Sequence, residues 1–500
     1  MKKITLKTLG FICLMSVSTY FFPTRAQSAA NGENEIHITA SSSIDDIRRE
    51  LAGMDIMVLD FKMKDGEFPT CDYMEHPEGC NGFSIINNEY VEGSFTISRK
   101  GEELYNSGEY VAKESGVRLK IRGNTSSYDG VAKKSYKVKL SKKADLLLRE
   151  NSKAQDKDWV LLGSGSQKLN YVAGAEIGRV CGMSWEPEGC HVVVLMNDKY
   201  MGSYYLVEAV SAGKHRVNIE DSGFIIENDA YWWKPGEVYF KSDHQQYDLG
   251  WTFKEPDSDD LDETGLENIK SVVNTVENSL YADEEDLRDL IDYESFANWM
   301  LAHDIMNTID GYGSNIFVMK KDYDPAAPFA SKIEMGPLWD FDACLANNLP
   351  SHAVISGLSG FWYYKLWDRE DFQEVYKKRW EEVRGCLKEK VLSKLSAYVE
   401  SNPDVYNSRL IDRMFDLLGP VPLTKPSDDY RDIEKWIDDR IPILDKLIIA
   451  DSGIKDIESI NGGSNISKRS FTLDGLPADE NSRGVIITID ENGKASKMIK

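Results

Sequence analysis

The amino-acid pattern predicts an α+β fold in two parts: a β-rich amino-terminal part with one prominent helix, then a mainly helical part interrupted by a loop and hairpin. Three observations carry this. From Ile56 to Lys254, apolar residues alternate or run in short blocks bounded by Gly, Asn and Asp, as strands require. After the acidic tract D-S-D-D-L-D-E-T, which begins at Asp257, the period changes to that of helices. Between Asp310 and Asp342 two short apolar runs flank a polar turn, the pattern of a hairpin set among helices.

The elements follow in order. Residues 31–53 combine a polar tract with a short helical pattern and are expected to be weakly ordered. Strands are predicted at Met54–Phe61, Gly93–Ser98, Val117–Arg122, Ser135–Leu140, Val192–Met196 and Ser203–Val207. Leu169, Val172, Ala173, Glu176 and Ile177 have helical spacing and place the prominent helix within 168–181. Residues 54–256 thus form the β-rich part and 257–450 the helical part. The latter carries helices near 263–280, 284–290, 293–308, 369–384, 387–400 and 429–449, with a stop at Gly419-Pro420. Residues 451–500 read as a short β-rich tail with strands at Ser470–Leu473 and Val485–Asp490. The tail resembles those ending many exported Bacteroidetes proteins; the alternative is an edge hairpin of the main domain.

Composition narrows the function. The chain has 500 residues, 41% of them hydrophobic, enough for a large core. Its net charge is −24. That balance opposes nucleic acid or an anionic membrane as a non-specific partner. Lys2, Lys3 and Lys7, the apolar stretch Leu9–Phe22 and the small residues Ala26-Gln27-Ser28-Ala29-Ala30 read as a cleavable export signal, residues 1–30. The apolar stretch is short for a bilayer span, and no other long apolar run follows. Cleavage removes Lys2, Lys3, Lys7 and Arg25 and no acid, so the mature chain becomes more acidic still. In an exported chain the pairs Cys71/Cys80 and Cys181/Cys190, each closing on Pro-Glu-Gly-Cys, suggest two local disulfides, with cross-pairing as the alternative.

The chemistry concentrates in one stretch. Asp310 and Asn315 bracket Gly311-Tyr312-Gly313-Ser314; the strand Ile316–Met319, a turn at 320–331 and a return strand then lead to Trp339-Asp340-Phe341-Asp342. A loop delivers one carboxylate and one amide, and the hairpin returns further carboxylates beside them. Phosphoryl transfer uses such a set: one carboxylate orients and deprotonates the hydroxyl, and oxygen ligands hold a cation on the phosphates. Protein kinases place a catalytic Asp, an Asn five residues later, a hairpin and D-F-G in this order. This chain lacks H-R-D, a Gly-rich loop and A-P-E.

Those departures and the rest of the chain resemble the CotH kinase family, from about residue 68 to 447. The resemblance rests on I-R-G-N-T-S-S (121–127), K-K-S-Y-K-V-K-L (133–140), D-W-V-L-L (158–162), the run 192–208, G-F-I-I-E-N-D (223–229), the Asp310 loop and P-L-W-D-F-D (337–342). F-W-Y-Y-K-L-W-D-R-E-D-F (361–372) also fits. The resemblance implies an atypical protein-kinase-like two-lobe fold. It also implies an exported enzyme that transfers the γ-phosphate of ATP, with Mg²⁺ or Mn²⁺, to Ser or Thr of secreted or surface proteins. Asp310 is then the catalytic residue, and Asn315, Asp340 and Asp342 the metal ligands. Lys134, with Lys139 as alternative, holds the phosphates, aided by the Arg122-Gly123-Asn124 turn; Glu208 or Glu227 pairs with that lysine or meets the ribose. Trp339 and Phe341 pack the loop. The family's Arg-Asn pair reads Asn170-Tyr171 here, which suggests ordinary helix-face packing. Competing readings are a kinase-like surface structural or adhesion protein without catalysis, and a carbohydrate-processing enzyme using Asp340 and Asp342.

Overall fold

Strand alternation in the first half becomes alternating burial. The computed structural model describes residues 36–499 except 79, 81, 129, 151–152, 164–167, 246–248, 283–285, 309–313, 346–360, 420–421, 450–468, 473–484 and 490–494. The export signal and Asp310 therefore lie outside the described residues.

Helix α1, Ile44–Ala52, realises the short helical pattern; the Ser43 hydroxyl accepts from the Asp46 N–H, and Asp46 closes the reciprocal cap. Then come β1 (Met57–Met63), the pair β2 (Asp72–Glu75) and β3 (Phe83–Ile86), β4 (Val91–Arg99), β5 (Glu102–Asn106), β6 (Val117–Arg122), β7 (Ser135–Ala144) and β8 (Asp156–Leu162). The prominent helix is α2, Asn170–Cys181, stopped by Gly182 in the left-handed region. It leads to β9 (Gly189–Met196) and β10 (Lys199–Glu208).

These strands pair in the order β1-β9-β10-β8-β7-β6-β4-β5, and β4 also pairs with β1, so the ladder returns to its first strand. Alternate residues face one interior: Leu59, Phe61, Ile97, Leu119, Val138, Trp159, Val194 and Leu206 are fully or almost fully buried in one cluster. Val160, Leu162, Tyr205 and Val207, of opposite parity on β8 and β10, face outward into a second core with Val172 and Ile177 of α2. Burying side chains of this size stabilises by about 1.5–3 kcal/mol each.

The chain continues through β11 (Phe224–Asp229), β12 (Tyr239–Phe240) and β13 (Gly250–Glu255) into α3 (Glu263–Ala282), α4 (Leu287–Leu290) and α5 (Tyr293–Met306). The hairpin is β14 (Ile316–Lys320) and β15 (Ile333–Met335). Helices α6 (Tyr363–Trp367), α7 (Glu370–Val383), α8 (Leu387–Ser401), α9 (Val405–Met414) and α10 (Pro426–Leu444) follow. A second sheet, β12-β13-β11-β14-β15, joins strands from both sides of the acidic tract. The result is a mixed α+β fold, β-rich first and helical afterwards, with residues 38–500 in one compact unit. The tail strands β16 (Arg469–Thr472), β17 (Val485–Ile489) and β18 (Ala495–Ile499) form an antiparallel sheet of their own.

Helix α9 was not expected from the sequence, and its role is tertiary. Its Asp412 accepts from Lys133 Nζ at 2.6 Å, and both side chains are fully buried. Tyr200 OH (2.8 Å), the Ser203 N–H (2.9 Å) and the Ser203 hydroxyl complete the carboxylate's bonds. Gly202 makes room: a Cβ there would lie 2.8 Å from Lys133 Cδ. The first Lys of K-K-S-Y is thus a buried strut between the strand ring and α9.

The two local disulfides are not formed. Cys71, Cys181 and Cys190 carry free thiols. Cys181 ends α2 with no exposed surface, while Cys190 sits within β9. Burial pushes the Cys190 thiol up to about 12, so it stays protonated. Among the described residues no helix is long and apolar enough to cross a membrane.

Candidate active site

The hairpin does what its pattern requires. Val318 pairs with Met335, and Gly336 N–H donates to the Phe317 carbonyl at 2.8 Å, so the ladder continues toward the chain end carrying Asp340. Residues 337–340 thereby return to the end of β14 where Asn315 sits. On its other edge β14 pairs with β11, setting Glu227 opposite Phe317 and Asn228 opposite Ile316.

Strand β11 fixes the end of the Asp310 loop by its acceptors. The Asn315 N–H donates to Glu227 Oε1 at 2.8 Å. The Ser314 N–H donates to the Asn228 carbonyl at 3.0 Å, and its hydroxyl to Asp229 Oδ1 at 2.9 Å. Ser314, Asn315 and Asp340 all have positive φ (111°, 63° and 64°), conformations that side-chain-bearing residues rarely keep without such anchoring. The Asn315 side-chain amide makes no hydrogen bond among the described residues.

Five contacts clamp the W-D-F-D loop. Leu338 N–H donates to Glu186 Oε1 at 3.2 Å. The Arg122 guanidinium lies over the Trp339 ring, 5.5 Å from its centroid. Tyr171 OH donates to Asp340 Oδ1 at 3.0 Å. Phe341 meets Tyr171 edge-on at 5.7 Å and fills the space left by Gly174, where a Cβ would stand 2.2 Å from its ring. Asn170 Nδ2 donates to the Cys344 carbonyl at 3.0 Å. Trp339 and Phe341 are buried and pack the loop as expected, whereas Asp342 is exposed. Asn170 and Tyr171 are more than helix-face packing: the first turn of α2 aims its polar groups at the acidic loop. Two adjacent polar residues opening an apolar helix were the signal for it.

Electrostatics agree with these partners. Burial, then the charges of Asp340 and Asp342, holds the Tyr171 phenol far above its usual range, so it remains a donor. Burial lowers the Arg122 guanidinium against the opposing pull of Asp340, Tyr171 and Glu227, and as an arginine it keeps its charge. No hydrogen bond engages Arg122's side chain among the described residues. Asn124 lies just beyond, its buried Oδ1 without a hydrogen-bond partner among the described residues.

The remaining expected residues have other surroundings. Lys134 Nζ donates to the Ser127 carbonyl at 2.6 Å and to Tyr73 OH at 2.9 Å, holding the 123–127 turn. Lys139 pairs in register with Arg118 while Arg122 pairs with Ser135, four residues or about 13 Å along the strand. Glu208 is buried; it accepts from Arg149 Nη2 at 2.7 Å and from the Glu188 N–H at 3.0 Å, so a different cation holds it. The acid beside the site is Glu227, whose Oε2 lies 2.7 Å from Lys254 Nζ on β13. Burial opposes its charge, but Lys254 and the Asn315 N–H win and hold Glu227 below its ordinary value. Neighbouring Asp229 is raised by burial and by Glu227. Among the described residues no group of three or more His, Cys, Asp and Glu side chains could hold a metal by itself. His303 and Asp304 lie in α5, buried away from any catalytic-loop role; Asp304 accepts from Tyr376 OH.

The Asn315 turn, the β14–β15 hairpin and the clamped W-D-F-D turn make up the candidate site. The CotH kinase protein family matches residues 119–444, well over half of the chain and covering every element of this site. The chain belongs to the CotH kinase family. No curated protein matches it.

Proposed function

We propose that the protein is an exported protein kinase that transfers the γ-phosphate of ATP to Ser or Thr of secreted or surface proteins. The observation that supports this reading is the register of the β14–β15 hairpin, which carries Asn315 and Asp340 toward its same end, both with positive φ and each bonded by another element.

The donor chemistry suits a hard divalent cation. Asp340 has one oxygen committed to Tyr171 and a second that accepts no hydrogen bond among the described residues, and the Asn315 amide is likewise available. Asp342 adds an exposed carboxylate two residues on. Three oxygen donors without thiolate or imidazole fit Mg²⁺ or Mn²⁺. When bound, such a cation neutralises charge on the nucleotide phosphates.

The protein's own residues supply the remainder. Asp310 accepts the proton as the hydroxyl oxygen bonds to the γ-phosphorus, while the bond to the bridging oxygen breaks and its electron pair leaves with ADP. Arg122 faces the same acids and contributes positive charge for the phosphates. Its stacking on Trp339 couples that charge to the position of Asp340. Export rests on the pattern of residues 1–30.

The test is incorporation from γ-labelled ATP with Mg²⁺ or Mn²⁺ into the protein itself or a mixed Ser/Thr acceptor. Asp340→Asn and Asp310→Ala should each reduce it at least about 100-fold at unchanged fold. Equal incorporation by wild type and both variants would sink the proposal.

A further inference from the structure

Phosphoryl transfer needs a cation near the transferred group, and the loop that should offer one does not. Gly311, Tyr312, Gly313 and Ser314, between Asp310 and Asn315, carry no positive charge. The Lys134 ammonium is used in holding the 123–127 turn. A different lysine stands against the loop's end. Glu227 uses Oε1 to hold the Asn315 N–H at 2.8 Å and Oε2 to hold Lys254 Nζ at 2.7 Å, so Lys254 lies two hydrogen bonds from Asn315 through one carboxylate.

We infer that Lys254 is the phosphate-binding lysine of this site, with Glu227 as the carboxylate that positions it. The inference rests on the kinase reading and assigns the role that the sequence placed on Lys134 or Lys139. Protein kinases need a lysine paired to a glutamate to align the phosphates, and here one pair joins that function to the backbone of the catalytic loop. Accessibility permits it: the Lys254 side chain is 37% exposed, whereas Glu227 is 10% exposed. Glu227 therefore anchors from within, while the ammonium, with three donors and one committed among the described residues, has two to offer. Burial works against the ammonium's charge, but Glu227 and Asp229 outweigh it and keep it protonated. A purely structural strut, such as Lys133–Asp412, has both groups fully buried and the carboxylate bonded on all sides. Lys254 has an open side.

Nucleotide binding separates the alternatives. Affinities for ATP, ADP and adenosine with Mn²⁺ are measured by calorimetry for wild type, Lys254→Met and Lys254→Arg. Loss of a charged hydrogen-bonding partner should weaken ATP and ADP by about 10- to 100-fold in Lys254→Met, with adenosine unchanged and Lys254→Arg near wild type. Should Lys254→Met fail to fold, the double variant Lys254→Gln/Glu227→Gln replaces the ion pair by an amide pair, and the same phosphate-specific loss is expected. ATP affinity within about twofold of wild type in whichever of these folds overturns the inference and leaves the kinase reading standing. A wild-type protein that binds no nucleotide removes both.

Discussion

The Tyr171 hydroxyl lies 3.0 Å from Asp340 Oδ1, and these residues are 169 positions apart. One belongs to the first turn of α2, the other to the loop after β15. Their hydrogen bond fixes one carboxylate oxygen and leaves the other without a hydrogen bond among the described residues. The helix therefore sets the direction in which the acidic loop presents its charge.

Tyr171→Phe removes that bond while keeping the ring that packs on Phe341. Stability should fall by only about 1 kcal/mol, since a single neutral donor is lost. Mn²⁺ affinity, read by paramagnetic resonance, and turnover should each fall roughly tenfold as the carboxylate gains rotational freedom. Unchanged Mn²⁺ affinity in a folded Tyr171→Phe protein would show that the contact is only packing.

Gly174→Ala tests the fit of α2 against the loop. Its Cβ would stand 2.2 Å from the Phe341 ring, closer than any real contact, so the ring or the helix must move. Overpacking of this kind costs about 1–3 kcal/mol, and thermal unfolding should register it. Activity should drop further than stability, because Phe341 carries Asp340 beside it.

The Lys133–Asp412 pair predicts an asymmetry. Lys133→Met leaves a buried carboxylate unpaired and should destabilise by about 3–5 kcal/mol in urea unfolding. Lys133→Met combined with Asp412→Leu removes both charges and should recover most of that loss.

His303 sets part of the acid sensitivity. It is buried in α5, both ring nitrogens without a hydrogen-bond partner among the described residues and its ring against Trp299, centroids 3.8 Å apart. Burial lowers its pKa to about 3, far below the unfolded value, so the unfolded chain binds more protons through the interval. Its contribution is therefore complete above the unfolded pKa of about 6.5 and is lost progressively as pH falls toward the folded value. Unfolding titrations between pH 7 and pH 4 should show a shallower decline for His303→Leu than for wild type.

The hairpin that carries the candidate site was legible along the chain because its parts are local. Asn315, Ile316–Met319 and Asp340 belong to one hairpin whose strands and turn are set by neighbouring residues, so pattern alone brought their backbones together. Glu208 was misread for the opposite reason. Its strand was correctly placed, but nothing near it in sequence names Arg149, the cation that claims it. Asn170 and Tyr171 were read as packing because a helix pattern reports which face is apolar and says nothing of what the polar end meets.

By itself the sequence determined most of the elements and their order, since periodicity and turn residues act over a few positions. Only the tertiary structure decided which partner each charge receives: Tyr171 for Asp340, Lys254 for Glu227, Asp412 for Lys133. Those pairings join strands and helices remote in the chain. Burial makes an unpartnered charge costly wherever it falls, but the identity of its partner depends on how sheets and helices stack, which no local pattern encodes.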